Sequence, residues 1–187
     1  MTAIDRMRAS LGAPVDVASL VFFRVAFGAV MLVAVVRYFA YGWIESLFVR
    51  PRFFFAYQGL EWIRPWPALG MYLHFAVLGV LALAIVVGFR TRRALLLFAV
   101  GFTWVHLTDK AIYLNHYYLV SVLAAVMALL PTGAAGSIDA WRDPRRRAER
   151  VPAWVVWVLR VQLALVYFYG GVAKLNADWL LHAQPLR

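Results

Sequence analysis

The sequence predicts an all-α, polytopic bundle of about five transmembrane helices. Of its 187 residues, 64% are hydrophobic and only 15% are charged, whereas soluble domains average about 45–50% and about 25%. A chain of this size cannot hide so much apolar surface in a soluble core. The absence of cysteine excludes thiolate nucleophiles, disulfide frameworks and zinc–thiolate sites.

A membrane span needs about 20 mostly apolar residues. The first predicted span carries Arg24 and Arg37, and an aromatic, proline-containing connector follows it, which we interpret as re-entrant or interfacial. The second ends at the Arg90 cluster, the fourth at Pro131, and the fifth begins at Pro152, a favourable helix start. The predicted spans are 17–41, 68–89, 94–114, 117–130 and 152–174, the connector is 42–67, and all lie in one transmembrane domain, 1–187.

Arginine and lysine placement predicts the orientation, because cytoplasmic loops are enriched in both. With the N-terminus inside and the C-terminus outside, ten of these residues lie inside and six outside. The inner residues are Arg6, Arg8, Arg90, Arg92, Arg93, Arg142, Arg145, Arg146, Arg147 and Arg150; the outer ones are Arg50, Arg52, Arg64, Lys110, Lys174 and Arg187. The net charge of +10 is then mainly a topology signal, and no nucleic-acid partner is expected.

Polar groups inside spans are candidates for function, because an unpaired polar group in the hydrocarbon region costs free energy and is rarely placed there without a role. In the predicted topology, several fall on the outer side of the membrane at similar depth and could share a pocket. They are Asp109, Lys110, Asn115, His116 and Lys174.

Lys174 has two interpretations. It is a lysine near a helix end that reaches the headgroups, or a base inside the membrane. Helical side chains tilt toward the N-terminus of their helix, so its stem would lie over Gly170 and Gly171, which leave room for a flat ligand. A desolvated amine is more often neutral and could then accept a proton.

The other polar residues keep simpler alternatives. Asn115 and His116 form either a solvated turn or a hydrogen-bonding pair that faces the lysine, and Asp109–Lys110 is most simply a local ion pair. His74, His106, Arg24 and Arg160 are interpreted as structural groups within the bundle, Arg160 pairing with a backbone carbonyl or an acid such as Asp109. No ligand spacing predicts a metal site.

Two segments resemble vitamin K-dependent gamma-carboxylases. Residues 167–179 (YFYGGVAKLNADW) are similar to the segment around that family's active-site lysine, and residues 109–119 (DKAIYLNHYYL) to the segment with its functional Asn-His pair. Weaker similarity surrounds Arg24, Arg64 and Arg160. The resemblance runs from Ser19 to Trp179 and corresponds to the horizontally transferred transmembrane (HTTM) domain of bacteria.

The resemblance implies a reaction and its residues. Lys174 would deprotonate vitamin K hydroquinone or a related quinol, oxygen would add, and an epoxide would form. In the family, the oxygenation generates a strong base, which removes a proton from a peptide glutamate. The glutamate then takes up carbon dioxide, and the overall reaction is classed with the lyases. His116 and Asn115 would support it, with Gly170, Gly171, Asp109, Lys110 and Trp179 around the quinol. No metal is expected.

The resemblance also implies a location and a difference. The protein is expected in a bacterial inner membrane, and the predicted topology places its site toward the outer face. Family chains continue past the matched segment, so this chain is expected either to be truncated at its C-terminus or to be a minimal version of the family. Both alternatives favour quinol epoxidation over carboxylation of a protein glutamate. The alternative is a non-catalytic membrane module that binds a quinone, a lipid or a partner protein.

Overall fold

Helices dominate the computed structural model, which describes residues 2–180. Arg187, predicted to be external, lies outside the described residues. The α-helices are α1 (Ala3–Gly12), α2 (Ala18–Ala40), α3 (Ala68–Val87), α4 (Thr91–Leu107), α5 (Asn115–Leu129), α6 (Ile138–Arg142), α7 (Ala153–Val172) and α8 (Ala177–Leu180). A π-helical turn (Glu45–Val49), two 3-10 turns (Lys110–Ile112 and Pro144–Arg146) and two short strands, β1 (Pro14–Asp16) and β2 (Arg150–Pro152), complete the described elements. The all-α prediction is confirmed.

Within residues 2–180, three helices are long and apolar enough to cross a membrane, namely α2, α3 and α7. Helices α4 and α5 are also largely apolar but shorter, with 17 and 15 residues. The five-span topology and its orientation therefore stay predictions. The chain divides into two units, residues 14–151 and residues 1–13 with 152–187.

The larger unit is an up-and-down array in which each of α2 to α5 packs on the next. Short turns at 88–90 and 108–114 connect α3 to α4 and α4 to α5, as expected for antiparallel neighbours. The interior is aromatic: Phe75 and Phe98 are almost wholly buried, and Phe27 packs edge-on against Phe98. Many valines and leucines of α2 and α3 are exposed instead, as expected for helices that face lipid.

The predicted third span extended to residue 114, but α4 ends at Leu107. The Thr108 hydroxyl donates to the carbonyl of Val105, at 2.6 Å. The Asp109 carboxylate then accepts from the amide of Ala111, at 2.9 Å. These side-chain bonds compete with the helical pattern and turn the chain before α5 begins at Asn115.

In the smaller unit, α1 packs against α7. A capping box at Thr2 and Asp5 starts α1, and the amide of Ala153 donates to the carbonyl of Ala13, at 2.9 Å. The last turn of α7 leads to Lys174, and a short turn then connects to α8.

Candidate functional site

Asp109 fixes the connector to the turn between α4 and α5. Its carboxylate, which is 7% exposed, accepts hydrogen bonds from the amides of Phe55 and Ala111. The amide of Lys110 donates back to the carbonyl of Phe55, at 2.9 Å. This reciprocal contact holds the aromatic run of the connector beside the start of α5.

The expected ion pair between Asp109 and Lys110 is absent from the described part of the chain. The Lys110 ammonium instead lies 5.2 Å from the ring centroid of Tyr57, as a cation–π contact. The Asp109 carboxylate is engaged with the backbone instead, because the amides of Phe55 and Ala111 both donate to its Oδ1 atom. Burial raises the pKa of Tyr57, and the neighbouring Tyr113 and Asp109 add to the effect, so this ring stays neutral.

Asn115 and His116 form the first turn of α5, and both are exposed. The His116 ring packs edge-on against the ring of Tyr117, with centroids 4.7 Å apart. Neither residue makes a side-chain hydrogen bond within residues 2–180, so both polar groups are available to a ligand.

An aromatic cavity of about 330 Å³ lies against His116. Helices α2, α4 and α5 and the segment after α2 form its walls. Its lining residues are Val30, Met31, Ala34, Arg37, Tyr38, Trp43, Phe102, His116, Tyr117 and Val120. Apolar and aromatic walls with a few polar groups are typical of small-molecule sites.

Tyr38 and Tyr117 are among the polar residues that line this cavity, together with Arg37 and His116. The hydroxyls of Tyr38 and Tyr117 are 3.0 Å apart and share a hydrogen bond. The Tyr38 ring stacks on Phe75, with centroids 4.6 Å apart, and meets Trp43 edge-on. The sequence does not single out either tyrosine, because a tyrosine in an apolar span is usually a packing residue. The one signal is that Tyr117 directly follows His116.

Lys174 lies in the smaller unit, just beyond the end of α7, and its side chain is exposed. Its Nζ atom is 5.0 Å from the ring centroid of Trp179. Asn176 shapes this turn: its side-chain amide donates to the carbonyl of Ala173, and its side-chain oxygen accepts from the amide of Trp179. The segment thus places an aromatic face under the lysine.

Space is open beside the last turn of α7. A Cβ atom added at Gly170 or Gly171 would meet no described atom within 4 Å, which agrees with the expectation of room there. The expectation that the Lys174 stem lies over these glycines differs from the structure, because the helix ends at Val172 and the amine lies over Trp179. Arg160 is exposed and stacks on Trp157, at 5.3 Å.

Arg24 and His106 are deeply buried in the larger unit. The Arg24 guanidinium donates to the carbonyls of Ile85, Val86 and Gly136 at 2.6–2.7 Å. His106 packs between Phe102 and Tyr117. Among residues 2–180, no group of three His, Asp or Glu side chains could hold a metal ion.

A family model described as the HTTM domain matches residues 13–187. No solved structure matches the chain. The family match covers nearly the whole sequence, including the segments around His116 and Lys174. It confirms the resemblance noted for those segments and, with the three long apolar helices, indicates a membrane protein. The chain therefore belongs to the HTTM domain family.

Proposed function

We propose that this protein is a membrane-embedded quinol oxygenase of the gamma-carboxylase type, with Lys174 as its base. The observation that carries the proposal is the aromatic cavity against His116, whose walls suit a flat ring and whose tyrosine pair suits a ring oxygen. The resemblance to gamma-carboxylases implies the chemistry, and membership of the HTTM domain family is consistent with it. The quinol would enter from the lipid.

The proposed reaction balances as an oxidation of the hydroquinone by O₂. Lys174 takes one hydroxyl proton, and oxygen adds to the resulting anion. One oxygen atom ends in the epoxide, and the other leaves as water with the two hydroxyl hydrogens. His116 and Asn115 would donate hydrogen bonds to the negative charge that develops on oxygen.

Carboxylation would be a second stage. The oxygenated anion would remove a γ-proton from a glutamate, and the resulting carbanion would bond to carbon dioxide. Exclusion of water protects such a base from quenching. The proposed substrates of this second stage are a peptide glutamate and carbon dioxide. The proposed location of the site is the outer face of a bacterial inner membrane.

The test is epoxide formation by the purified chain in lipid nanodiscs, with vitamin K hydroquinone and oxygen. Lys174→Ala should lower the rate by about 10²- to 10⁴-fold, the usual contribution of a general base. Lys174→Arg should be as inactive, because arginine keeps the charge but does not release its proton. Quinol binding, measured separately, should persist in both variants.

Matched substitutions complete the test. His116→Gln should slow epoxidation, whereas His74→Gln should not, because His74 bonds the carbonyl of Gly101 away from the cavity. Arg93→Gln removes an exposed cation elsewhere and should leave the rate unchanged. Turnover by Lys174→Ala at the wild-type rate would remove the lysine from the mechanism.

A second candidate function is quinone or lipid binding without turnover. It is favoured by the contact between Lys174 and Trp179, because an aromatic face stabilises the protonated, ammonium form of the lysine. A protonated lysine cannot accept the proton of a quinol. Quinol binding without epoxide in wild type and variants alike would support this function against the first.

A further inference from the structure

Two arginine-rich segments meet at the end of the larger unit where α3 ends and α4 begins. The amide of Asp139 donates to the carbonyl of Gly88, and its carboxylate accepts from the amides of Arg90 and Thr91, both at 2.7 Å. Arg90 and Arg142 both lie against the ring of Phe89, at 5.8 and 6.0 Å. The two segments therefore form one surface.

This surface is strongly basic. Segments 88–93 and 138–150 contain eight arginines and three acids. The acids are already engaged: Asp139 binds backbone amides, Asp143 pairs with Arg146 at 3.0 Å, and Glu149 contacts Arg147 at 3.5 Å. Most of the positive charge remains free to attract an anion.

A cavity of about 370 Å³ opens on this surface and has two chemically different walls. Arg92, Arg146 and Thr132 contribute to its polar wall, together with Thr91 and Asp139. Residues 128–131, at the end of α5, form its apolar wall. Leu129 is 72% exposed there, so the apolar wall continues onto the outer surface of the helix.

We propose that this cavity binds the phosphate of an anionic phospholipid between Arg92 and Arg146, with an acyl chain along Leu129. Arginine forks suit phosphate oxygens, and an amphiphile satisfies both walls at once. The surface also carries Trp141, which is 82% exposed, and tryptophan prefers the headgroup level of a bilayer.

The charged residues around the cavity are compatible with a bound phosphate. Asp139 lines the cavity, but its carboxylate already accepts three hydrogen bonds at the start of α4, including one from the Thr91 hydroxyl at 2.9 Å. Arg146 would share its guanidinium between Asp143 and the lipid. Arg92 makes no ion pair within the described residues, so it is the more available partner.

The test uses the whole chain in phosphatidylcholine vesicles that contain spin-labelled phosphatidylglycerol. Electron paramagnetic resonance measures the lipid that the protein immobilises. Wild type should prefer phosphatidylglycerol over phosphatidylcholine. The double variant Arg92→Gln/Arg146→Gln should bind phosphatidylglycerol at least roughly tenfold more weakly than wild type. The reason is that each basic residue near a membrane surface contributes about a factor of five to the binding of an anionic lipid. Arg92→Lys/Arg146→Lys should retain much of the preference.

The matched control is Arg52→Gln/Arg64→Gln, which removes two exposed arginines from the other end of the same unit. It should leave the preference intact. An equal loss of the phosphatidylglycerol preference in both double variants would overturn the site, because the preference would then depend only on the net charge of the protein. Full displacement of the lipid by inorganic phosphate, but not by sodium chloride of equal ionic strength, would show a soluble-anion site and would also overturn the lipid assignment. Circular dichroism checks that the variants are folded.

Discussion

At the scale of single residues, Arg24 shows how this protein accommodates a charge inside an apolar helix. Its side chain is fully buried, and its guanidinium donates to the last carbonyls of α3 and to Gly136. The final carbonyls of a helix lack partners within that helix. One arginine therefore satisfies the end of α3 and ties it to the loop before α6.

Arg24→Met should lower the free energy of unfolding by about 3 kcal/mol or more, because it leaves several buried carbonyls without a donor. The measurement is denaturant unfolding in detergent micelles, followed by circular dichroism. Arg37→Met is the matched control on the same helix. Arg37 is exposed at the edge of the aromatic cavity and lies over the rings of Tyr41 and Trp43, so we expect a loss of at most about 1 kcal/mol. Equal losses for both variants would contradict the proposed role of Arg24.

The sequence identified the polar residues inside apolar segments but not their partners. Arg24 could be selected because a charge within a span demands a partner. Its acceptors, Ile85, Val86 and Gly136, are backbone groups, which no residue pattern reveals. For the same reason, the sequence predicts that Asp109 pairs with the adjacent Lys110, whereas its partner is the distant amide of Phe55.

At the scale of elements, the turn between α3 and α4 depends on a residue far along the chain. Gly88 and Arg90 both have left-handed backbone conformations, with φ values of 70° and 45°, and such a conformation is costly for a residue with a side chain. A Cβ atom at Gly88 would also clash with Ser137. Asp139, in α6, binds the amides of Arg90 and Thr91 and so takes the place of a local N-cap for α4.

Asp139→Asn should lower the free energy of unfolding by about 1–2 kcal/mol at neutral pH, because both carboxylate oxygens accept hydrogen bonds and the amide replaces one of them with an NH₂ donor. Burial tends to raise the pKa of Asp139, but hydrogen bonds from Thr91 and Arg90 and the charge of Arg146 outweigh it, so the folded-state pKa is lowered. The ionised carboxylate therefore stabilises the fold above the ordinary Asp pKa, and this stability is lost as the pH falls through the lowered value.

Unfolding measured from neutral pH down to about pH 3 checks this expectation. The difference between wild type and Asp139→Asn should shrink with falling pH. Asp143→Asn, which removes an exposed carboxylate from the same region, should cost less. A difference that stays constant over the whole range would contradict the role of the charge.

Helices occupy all five apolar segments found in the sequence, because runs of this length and composition leave few other ways to satisfy the backbone in lipid. The ends were harder to predict. The sequence predicts a third span that reaches residue 114. The helix ends earlier, because the Thr108 hydroxyl donates a hydrogen bond to the backbone and the Asp109 carboxylate accepts one from it. The short helix α6 has no periodic pattern long enough to detect.

At the scale of the whole molecule, the proposed catalytic residues belong to different units. The cavity with His116 lies within residues 14–151, whereas Lys174 lies in the unit formed by the two chain ends. The proposed function requires that they meet at one depth in the membrane, as the arginine and lysine distribution predicts.

This requirement can be measured directly, because the chain contains no cysteine. Spin labels on Ala111→Cys and Ala173→Cys, both exposed positions, would report a distance by double electron–electron resonance in nanodiscs. We expect a distance well below the hydrocarbon thickness of about 30 Å. The control pair Ala111→Cys and Ala148→Cys lies beyond opposite ends of α4, which is about 25 Å long, and should give a longer distance. If the first pair were instead separated by the full membrane thickness, Lys174 and His116 could not act on one quinol, and the binding function without turnover would be the better account of the aromatic cavity.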